Sequence, residues 1–408
     1  MTPRLRSEEI LSLQCPALRD GSKAIRTMLR NQFDKALAVL FLFAFCGLSA
    51  AAADAADSAR TGKETASIPI PLIHETDLFH PHGDPDDHWD LATVYALTLQ
   101  GRVDLKAVVL DYPPQSANGD PAVVAVSQMN SIAGFSVPRA VGSSRPFEHD
   151  AKNPAEIPAR DGMAIRMILQ ILDDSPEPVV ISIVGSSRDV ALAGVRAPEL
   201  FREKCRAVYL NAGTGTTDPE KGANREYNVT LGVAAYQSIF DLPCPVYWIP
   251  CFETLDGSPP RVQEHGSFWI FTQGRILAAL SPQLQNFFLY ALDRETDPQW
   301  LRYLHSPVHE ESLKRASEQK RAMWCTAGFH HLAGLTVLRD GSAVPLDSEN
   351  EERVFSFDPI AVETDDSGVK AWEHTPDSKD RFLFTVRDLD RYAEAMTAAL
   401  GNLLSSIR

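Results

Sequence analysis

Short apolar segments alternate with segments of helical spacing between residue 68 and about residue 250. The apolar segments predict strands at 68–76, 105–111, 137–142, 178–185, 206–213 and 245–250, and the others predict helices at 88–100, 121–133 (with Pro121 in its first turn), 161–173 and from Arg188 onward. Because the strand segments are continuously apolar, they indicate a parallel sheet with both faces covered. The pattern predicts an α/β fold on a doubly wound, mostly parallel sheet.

The pattern changes after Cys251, where helical spacing dominates to about residue 340. A polar stretch, 341–352, then precedes predicted strands at 354–364 and 381–386. The last segment, 388–405, is predicted to be a helix with one apolar face, formed by Leu389, Tyr392, Met396, Leu400 and Leu403. We therefore expect one domain, 68–408, that carries a helical insertion and small C-terminal strands.

The first 67 residues differ in kind from the rest. Residues 36–53 carry no charge, follow Lys35 and end in small residues, which is typical of a secretory signal peptide. We expect residues 1–53 to be removed, with Met28 as the true start, and 54–67 to form a linker. A transmembrane anchor is the alternative, but the strongly apolar part is shorter than a full span. The sequence thus predicts a secreted or periplasmic protein without a stable membrane anchor.

Composition and charge exclude several classes of protein. A hydrophobic content of 44% and a charged content of 23% are those of a globular protein. A net charge of −15 disfavours nucleic acid as a partner, because the phosphate backbone requires a basic face. Four cysteines follow residue 53, and no CxxC spacing indicates a zinc ribbon. Cys244 and Cys251 flank a strand and lie roughly 23 Å apart, so a disulfide would have to involve Cys205 or Cys325; free buried cysteines are the equal alternative.

The segment between the first strand and the first helix is strongly acidic. It contains five aspartates within fourteen residues, namely Asp77, Asp84, Asp86, Asp87 and Asp90. Loops at the carboxyl ends of parallel strands are where α/β sheets bind ligands. Crowded carboxylates favour a nearby hard cation, Ca²⁺ or Mg²⁺. The alternative is a helix-capping loop in which Asp86 and Asp87 interact with the helix dipole.

Two histidines in this loop offer a different metal hypothesis. His80-x-His82-x-Asp84 resembles the start of the HxHxDH zinc signature of metallo-β-lactamase-type hydrolases. Pro85 occupies the place of the final histidine, and proline cannot bind zinc. The zinc hypothesis is therefore disfavoured.

Four motifs occur in the order found in another family. Glu75-Thr76-Asp77 and Asp86-Asp87 resemble a D-x-D-P-G-x-D-D run after the first strand, and 179–193 resembles a V-x-T-G-P-L-T-N-L-A-x-A turn. The sequence YLNAG at 209–213 resembles an M-G-G-x turn, and Glu226-Tyr227-Asn228 resembles E-F-N. Together these motifs resemble the inosine–uridine-preferring nucleoside hydrolases over about residues 70–250, with a weaker match beyond.

The resemblance implies a metal and a base. Asp77 and Asp87 would be calcium ligands, with the backbone carbonyl of Gly185. Asp86 would be the general base that activates water at the ion. Carboxylates around the sugar suit this chemistry, because cleavage of an N-glycosidic bond passes through an oxocarbenium-like state.

The resemblance also implies substrate contacts and late histidines. Glu226 and Asn228 would bind sugar hydroxyls, and Asn224 lies in the same substrate-binding segment. At the family's late His-Asp pair this sequence has His330-His331, so His330 would be a leaving-group acid and His331 a metal ligand. Two structural histidines are the alternative.

The sequence departs from the family at two further places. Eight residues separate Asp77 from Asp86, where the family has three. Asp84 could therefore replace Asp77 as a ligand, and His80 or His82 could enter the pocket. The segment 108–114 lacks the asparagine that usually follows the second strand.

These observations lead to three functional hypotheses. The first is an exported, metal-dependent hydrolase of ribonucleosides, with a small molecule as its partner. The second is a nucleoside- or carbohydrate-binding protein that keeps the fold without the chemistry. The third is a hydrolase of a non-nucleoside glycoside. A homo-oligomer is an open alternative to a monomer in each case.

Overall fold

The computed structural model describes residues 68–408 apart from 82–84, 114–118, 153–156, 217, 219–225, 256–259, 349–351 and 367. The predicted signal peptide and linker lie outside the described residues, and both stay predictions. No helix in the described part is long and apolar enough to cross a membrane.

The strands form one large sheet and three small ones. They are β1 (Ile70–Thr76), β2 (Phe79–His80), β3 (Val103–Leu110), β4 (Asp120–Pro121), β5 (Arg139–Val141), β6 (Val179–Ile183), β7 (Cys205–Asn211), β8 (Val246–Ile249), β9 (Trp269–Thr272), β10 (Lys320–Met323), β11 (Leu335–Val337), β12 (Ala343–Pro345), β13 (Phe355–Asp365), β14 (Gly368–His374) and β15 (Arg381–Val386). The large sheet has nine strands in the order β14-β13-β15-β8-β7-β6-β1-β3-β5. From β15 to β5 every neighbouring pair is parallel, whereas β13 and β14 are antiparallel additions. The predicted doubly wound, mostly parallel α/β fold is confirmed.

The helices cover both faces of this sheet. They are α1 (Asp86–Leu99), α2 (Val123–Ala133), α3 (Phe147–Lys152), α4 (Met163–Asp174), α5 (Arg188–Arg196), α6 (Pro198–Lys204), α7 (Tyr227–Thr230), α8 (Val233–Phe240), α9 (Gly274–Leu277), α10 (Pro282–Leu292), α11 (Trp300–Leu304), α12 (Glu310–Glu318), α13 (Thr326–Leu332) and α14 (Tyr392–Leu404). On β1, Leu72 belongs to one buried apolar cluster and Ile73 to another. On β3, Val108 and Val109 divide in the same way. Alternate side chains of a strand point to opposite faces, so each central strand contributes to two cores.

Three elements differ from the sequence prediction. Pro121 is not in a helix: it pairs with Phe79 in the β2–β4 sheet, and α2 begins at Val123. The region after Cys251 contains the predicted helices but also the β9–β10 pair, which was not predicted. The strand β14 was not predicted, whereas the predicted strand at 381–386 corresponds to β15, which pairs in parallel with β8 and extends the main sheet.

The strand order creates the crevice where a ligand is expected. From β1 the chain proceeds outward to β3 and β5, then returns to β6 on the other side of β1 and continues to β7 and β8. The winding direction therefore reverses between β1 and β6. Doubly wound sheets bind ligands at the carboxyl ends of strands beside such a reversal.

Candidate functional site

Three aspartates reach this crevice from the segment that joins β1 to α1. Asp77 follows directly after β1, and Asp86 and Asp87 form the first turn of α1. Carboxylates are stabilised there because the helix dipole places partial positive charge at the N-terminus. Thr76 Oγ1 donates a hydrogen bond of 2.6 Å to Asp87 Oδ1, which fixes the orientation of that carboxylate.

These aspartates line a cavity of about 400 Å³, a size typical of small-molecule sites. Its wall contains polar, aromatic and thiol side chains, several of which lie at or just after the carboxyl ends of strands. The lining residues are Asp77, Asp86, Asp87, Val184, Asn211, Glu226, Tyr227, Asn228, Cys251, Phe252, Trp324 and Cys325.

The crowding of the carboxylates determines their protonation. Burial raises the pKa of Asp77 well above its ordinary value, and the neighbouring charge of Asp87 raises it further. Burial also raises the pKa of Asp86 well above its ordinary value, and the neighbouring charge of Asp87 raises it further. Without a cation the charged forms are unfavourable, whereas a hard divalent cation would favour them. Carboxylate oxygens are the ligands that Ca²⁺ and Mg²⁺ prefer, so Asp77 and Asp87 fit the expected ion.

Gly185 lies where only a glycine fits. A Cβ at this position would stand 2.5 Å from the backbone nitrogen of Asp77 and would collide with Asp111 Oδ2. The residue before it, Val184, lines the cavity, and its carbonyl accepts a hydrogen bond of 3.1 Å from Asn228 Nδ2. Gly185 therefore allows the turn after β6 to approach the β1 loop closely.

Glu226 and Asn228 line the cavity, but most of their hydrogen-bonding groups hold the cavity wall together. The carboxylate of Glu226 accepts from the backbone N–H groups of Asn228 (2.9 Å), Gly213 (2.8 Å) and Val229 (3.3 Å), and so caps α7. Asn228 Nδ2 donates to the carbonyls of Val184 and Asn211. Among the described residues Asn228 Oδ1 has no hydrogen bond, so it is the group of this pair that a ligand can use.

His330 and His331 are not brought to the cavity. His330 is 1% exposed, its Nδ1 hydrogen-bonds the carbonyl of Thr326 at 2.8 Å, and it lines a different cavity beside Arg102. His331 Nδ1 lies 2.7 Å from Tyr209 Oη, and its ring packs against Phe357. Neither side chain lines the cavity that contains the aspartates, so the geometry does not support the predicted roles of His330 as an acid or His331 as a metal ligand.

The other loop residues named from the sequence divide into two groups. Asp84 and Asn224, and with them His82, lie outside the described residues. His80 Nε2 lies 2.5 Å from the carbonyl of Glu295, and its ring stacks on Tyr290. His80 is thus held against α10 and does not line the cavity.

Sequence reasoning missed several lining residues. Asn211 ends β7 and connects two thiols: its Nδ2 lies 3.6 Å from Cys251 Sγ, and its Oδ1 accepts from Cys325 Sγ at 2.6 Å. A polar residue at the carboxyl end of a predicted strand was the available signal for Asn211. Trp324 and Cys325 follow β10, and no sequence signal placed that strand near the cavity.

No family model and no curated protein matches this chain. Solved structures with a similar fold include the inosine-uridine preferring nucleoside hydrolase from Bacillus anthracis (13% identity, 81% of this chain and 99% of that chain covered, TM-score 0.43). A second similar structure is that of a plant nucleoside hydrolase (14% identity, 81% of this chain and 99% of that chain covered, TM-score 0.44). A third is that of the type III effector protein XopQ complexed with adenosine diphosphate ribose (16% identity, 83% of this chain and 95% of that chain covered, TM-score 0.44). The roles of individual residues rest on the geometry above.

Proposed function

We propose that this protein hydrolyses the N-glycosidic bond of a ribonucleoside or a related ribosyl compound. The observation that supports the proposal is the convergence of Asp77, Asp86 and Asp87 on one cavity that also has aromatic walls. A ribosyl group with an attached aromatic base contains both kinds of partner: hydroxyls for the polar groups and a planar ring for the aromatic side chains.

Asp77 and Asp87 would hold a calcium ion, with magnesium as the alternative. When bound, such an ion lowers the pKa of water and orients vicinal hydroxyls. Asp87 is preorganised for this role by its hydrogen bond from Thr76.

Asp86 would accept the proton of the attacking water. It is half-buried at the start of α1, next to Asp87 but projecting from a different point of the helical turn. A base must reach both substrate and solvent, and Asp86 is the most exposed of the three aspartates. The cluster of carboxylates would also stabilise the positive charge that develops on the sugar.

The test is hydrolysis of a substrate panel by the full chain in the presence of Ca²⁺. The panel contains purine and pyrimidine ribonucleosides, their deoxy analogues, and adenosine diphosphate ribose, the compound bound in one structure of similar fold. Release of reducing sugar from a ribosyl substrate is expected. Absence of turnover with every substrate would contradict the proposal.

Two variants then separate the base from the metal ligand. Asp86→Asn is expected to reduce kcat about 10²–10⁴-fold at saturating Ca²⁺. Asp87→Asn is expected to give a defect that added Ca²⁺ partly rescues. Asp104→Asn, on the surface of β3, is the matched control and should leave activity unchanged. Wild-type activity of Asp86→Asn would refute its role as base.

A second candidate function is binding without hydrolysis. It is favoured by one observation: Glu226 and Asn228 use most of their hydrogen-bonding groups within the protein. In that case a nucleoside would raise the Tm of the protein without being cleaved. Cleavage of the stabilising nucleoside would exclude this alternative.

A further inference from the structure

A second group of carboxylates lies beside the cavity but does not line it. Glu75 is in β1, Asp111 follows β3, and Asp189 is in the first turn of α5. One carboxylate oxygen from each lies within 4.8 Å of the others. All three residues are at most 1% exposed.

The backbone is shaped to admit these side chains. A Cβ at Gly142, just after β5, would collide with Asp189 Oδ2, and a Cβ at Gly185, just after β6, would collide with Asp111 Oδ2. Each carboxylate therefore occupies space that glycine leaves open. Four strand ends, those of β1, β3, β5 and β6, together surround the three carboxylates.

Hydrogen bonding within the protein leaves much of this group unsatisfied. Asp189 accepts from the backbone N–H of Ser143 at 3.1 and 3.2 Å, and Asp111 Oδ2 accepts from that of Ser186 at 2.5 Å. Neither carboxylate oxygen of Glu75, nor Asp111 Oδ1, has a hydrogen-bond partner in the described part of the chain. The N–H of Asp189 is close enough to lower the pKa of Glu75, but not within hydrogen-bonding geometry. A fully buried carboxylate without a partner is unfavourable unless a cation or a proton neutralises it.

The nearest positively charged side chain, Arg188, does not form ion pairs with these carboxylates in the described part of the chain. The guanidinium of Arg188 influences all three carboxylates. It donates instead to Ser186 Oγ at 3.4 Å, its Nε has no partner, and it forms no ion pair with the three carboxylates within the described residues. Three buried carboxyl groups thus face one guanidinium that forms no ion pair with them in the described part of the chain.

We propose that Glu75, Asp111 and Asp189 bind a second divalent cation of the calcium class, separate from the ion expected at Asp77 and Asp87. The ligand set contains only oxygen, which suits a hard cation. Two oxygens that bind the same Ca²⁺ lie at most about 5 Å apart, since Ca–O distances are about 2.3–2.6 Å. The three carboxylate oxygens lie within 4.8 Å of one another, so one ion can contact all three. Because these residues do not line the cavity, the ion stabilises the four strand ends instead of contacting substrate. This site does not depend on the proposed hydrolase activity.

The experiment counts bound ions with Ca²⁺ alone as the probe. The full chain is stripped with a chelator and dialysed against Ca²⁺, and bound calcium is measured for the wild type, Asp189→Asn, Asp111→Asn and Asp87→Asn. We expect two ions in the wild type, one in each single variant and none in Asp87→Asn combined with Asp189→Asn. Ca²⁺ should also raise the Tm of Asp189→Asn less than that of the wild type.

The outcomes separate the two sites. One ion that persists in Asp87→Asn and is lost in Asp189→Asn supports the proposal, even if the chain hydrolyses nothing. Two ions retained by both Asp111→Asn and Asp189→Asn would overturn it. Should both of these variants fail to fold, Asp87→Asn decides: one retained ion supports the proposal, and complete loss of calcium overturns it.

Discussion

Glu226 is expected to contribute more to stability than to substrate binding. This residue is 6% exposed, and its carboxylate accepts three backbone hydrogen bonds, from Gly213, Asn228 and Val229. These bonds connect the turn after β7 to the start of α7. Replacing Glu226 by alanine removes both acceptor oxygens and with them all three hydrogen bonds, while the amide donors remain in place.

The magnitude follows from how buried the donors are. Gly213 and Val229 are buried, so water does not reach their N–H groups easily, whereas Asn228 is half-buried. An unsatisfied buried donor costs about 1–3 kcal/mol, and loss of a helix cap costs about 0.5–2 kcal/mol. Burial raises the pKa of Glu226, which means that the anion itself is unfavourable and offsets part of this gain. We expect Glu226→Ala to lower the free energy of unfolding by about 3 kcal/mol. Glu226→Gln should lower it by about 1–2 kcal/mol, because it avoids a buried charge and keeps an acceptor.

Denaturant unfolding at pH 7, monitored by circular dichroism, measures both values. Thr230→Ala, an exposed position at the end of the same helix, is the control and should change stability by less than about 0.5 kcal/mol. If Glu226→Ala unfolds within 0.5 kcal/mol of the wild type, the three hydrogen bonds do not carry the stability assigned to them. Equal losses in the alanine and glutamine variants would refute the argument about the buried charge.

Three further predictions concern other parts of the chain. Gly185→Ala should lower both the Tm and the Ca²⁺ affinity, because its Cβ would stand 2.5 Å from the backbone nitrogen of Asp77. The control is Gly232→Ala, which should be tolerated because its Cβ would meet nothing closer than 3.6 Å. Equal effects of the two substitutions in thermal scans would contradict the steric argument. Burial lowers the pKa of His331 from 6.5 to about 4, so between these values the unfolded chain binds a proton that the folded chain does not. Relative to His331→Gln, the wild type should therefore lose about 1.4 kcal/mol of stability per pH unit on acidification from 6.5 toward 4, and parallel pH profiles would contradict this. N-terminal sequencing of exported protein should find a start within 54–58, and a mature chain that keeps the preceding apolar stretch would disprove the predicted cleavage.

The fold was predictable because its strands carry an unambiguous signal. The segments that became β1, β6 and β7 are continuous apolar runs, and such runs are stable only in the interior of a covered sheet. The hairpin of β13 and β14 was only half predicted, because β14 is partly exposed and its composition is mixed. Propensity carries little information for such a strand, whose partner supplies the stability.

The site was predictable where its residues are close in sequence. The aspartates of the β1 loop were identified together because one loop and one helix turn contain them. The positions of His330 and His331 depend instead on contacts with residues distant in sequence, such as that of His331 with Tyr209, which the local sequence does not reveal. The Glu75–Asp111–Asp189 group was not recognised, because its members lie far apart in sequence: in β1, just after β3 and in the first turn of α5. Asp189 in particular reads locally as the partner of Arg188.

The position of β15 constrains when the sheet can be completed during synthesis. This strand lies between β8 and β13, and its Leu383 pairs with Trp248 of β8. Until the ribosome has produced the chain through Val386, β8 has an open edge, with three of its four residues destined for burial. Such an edge is a template for pairing with other chains. The edge of β8 therefore stays available for pairing with other chains until β15 has been synthesised.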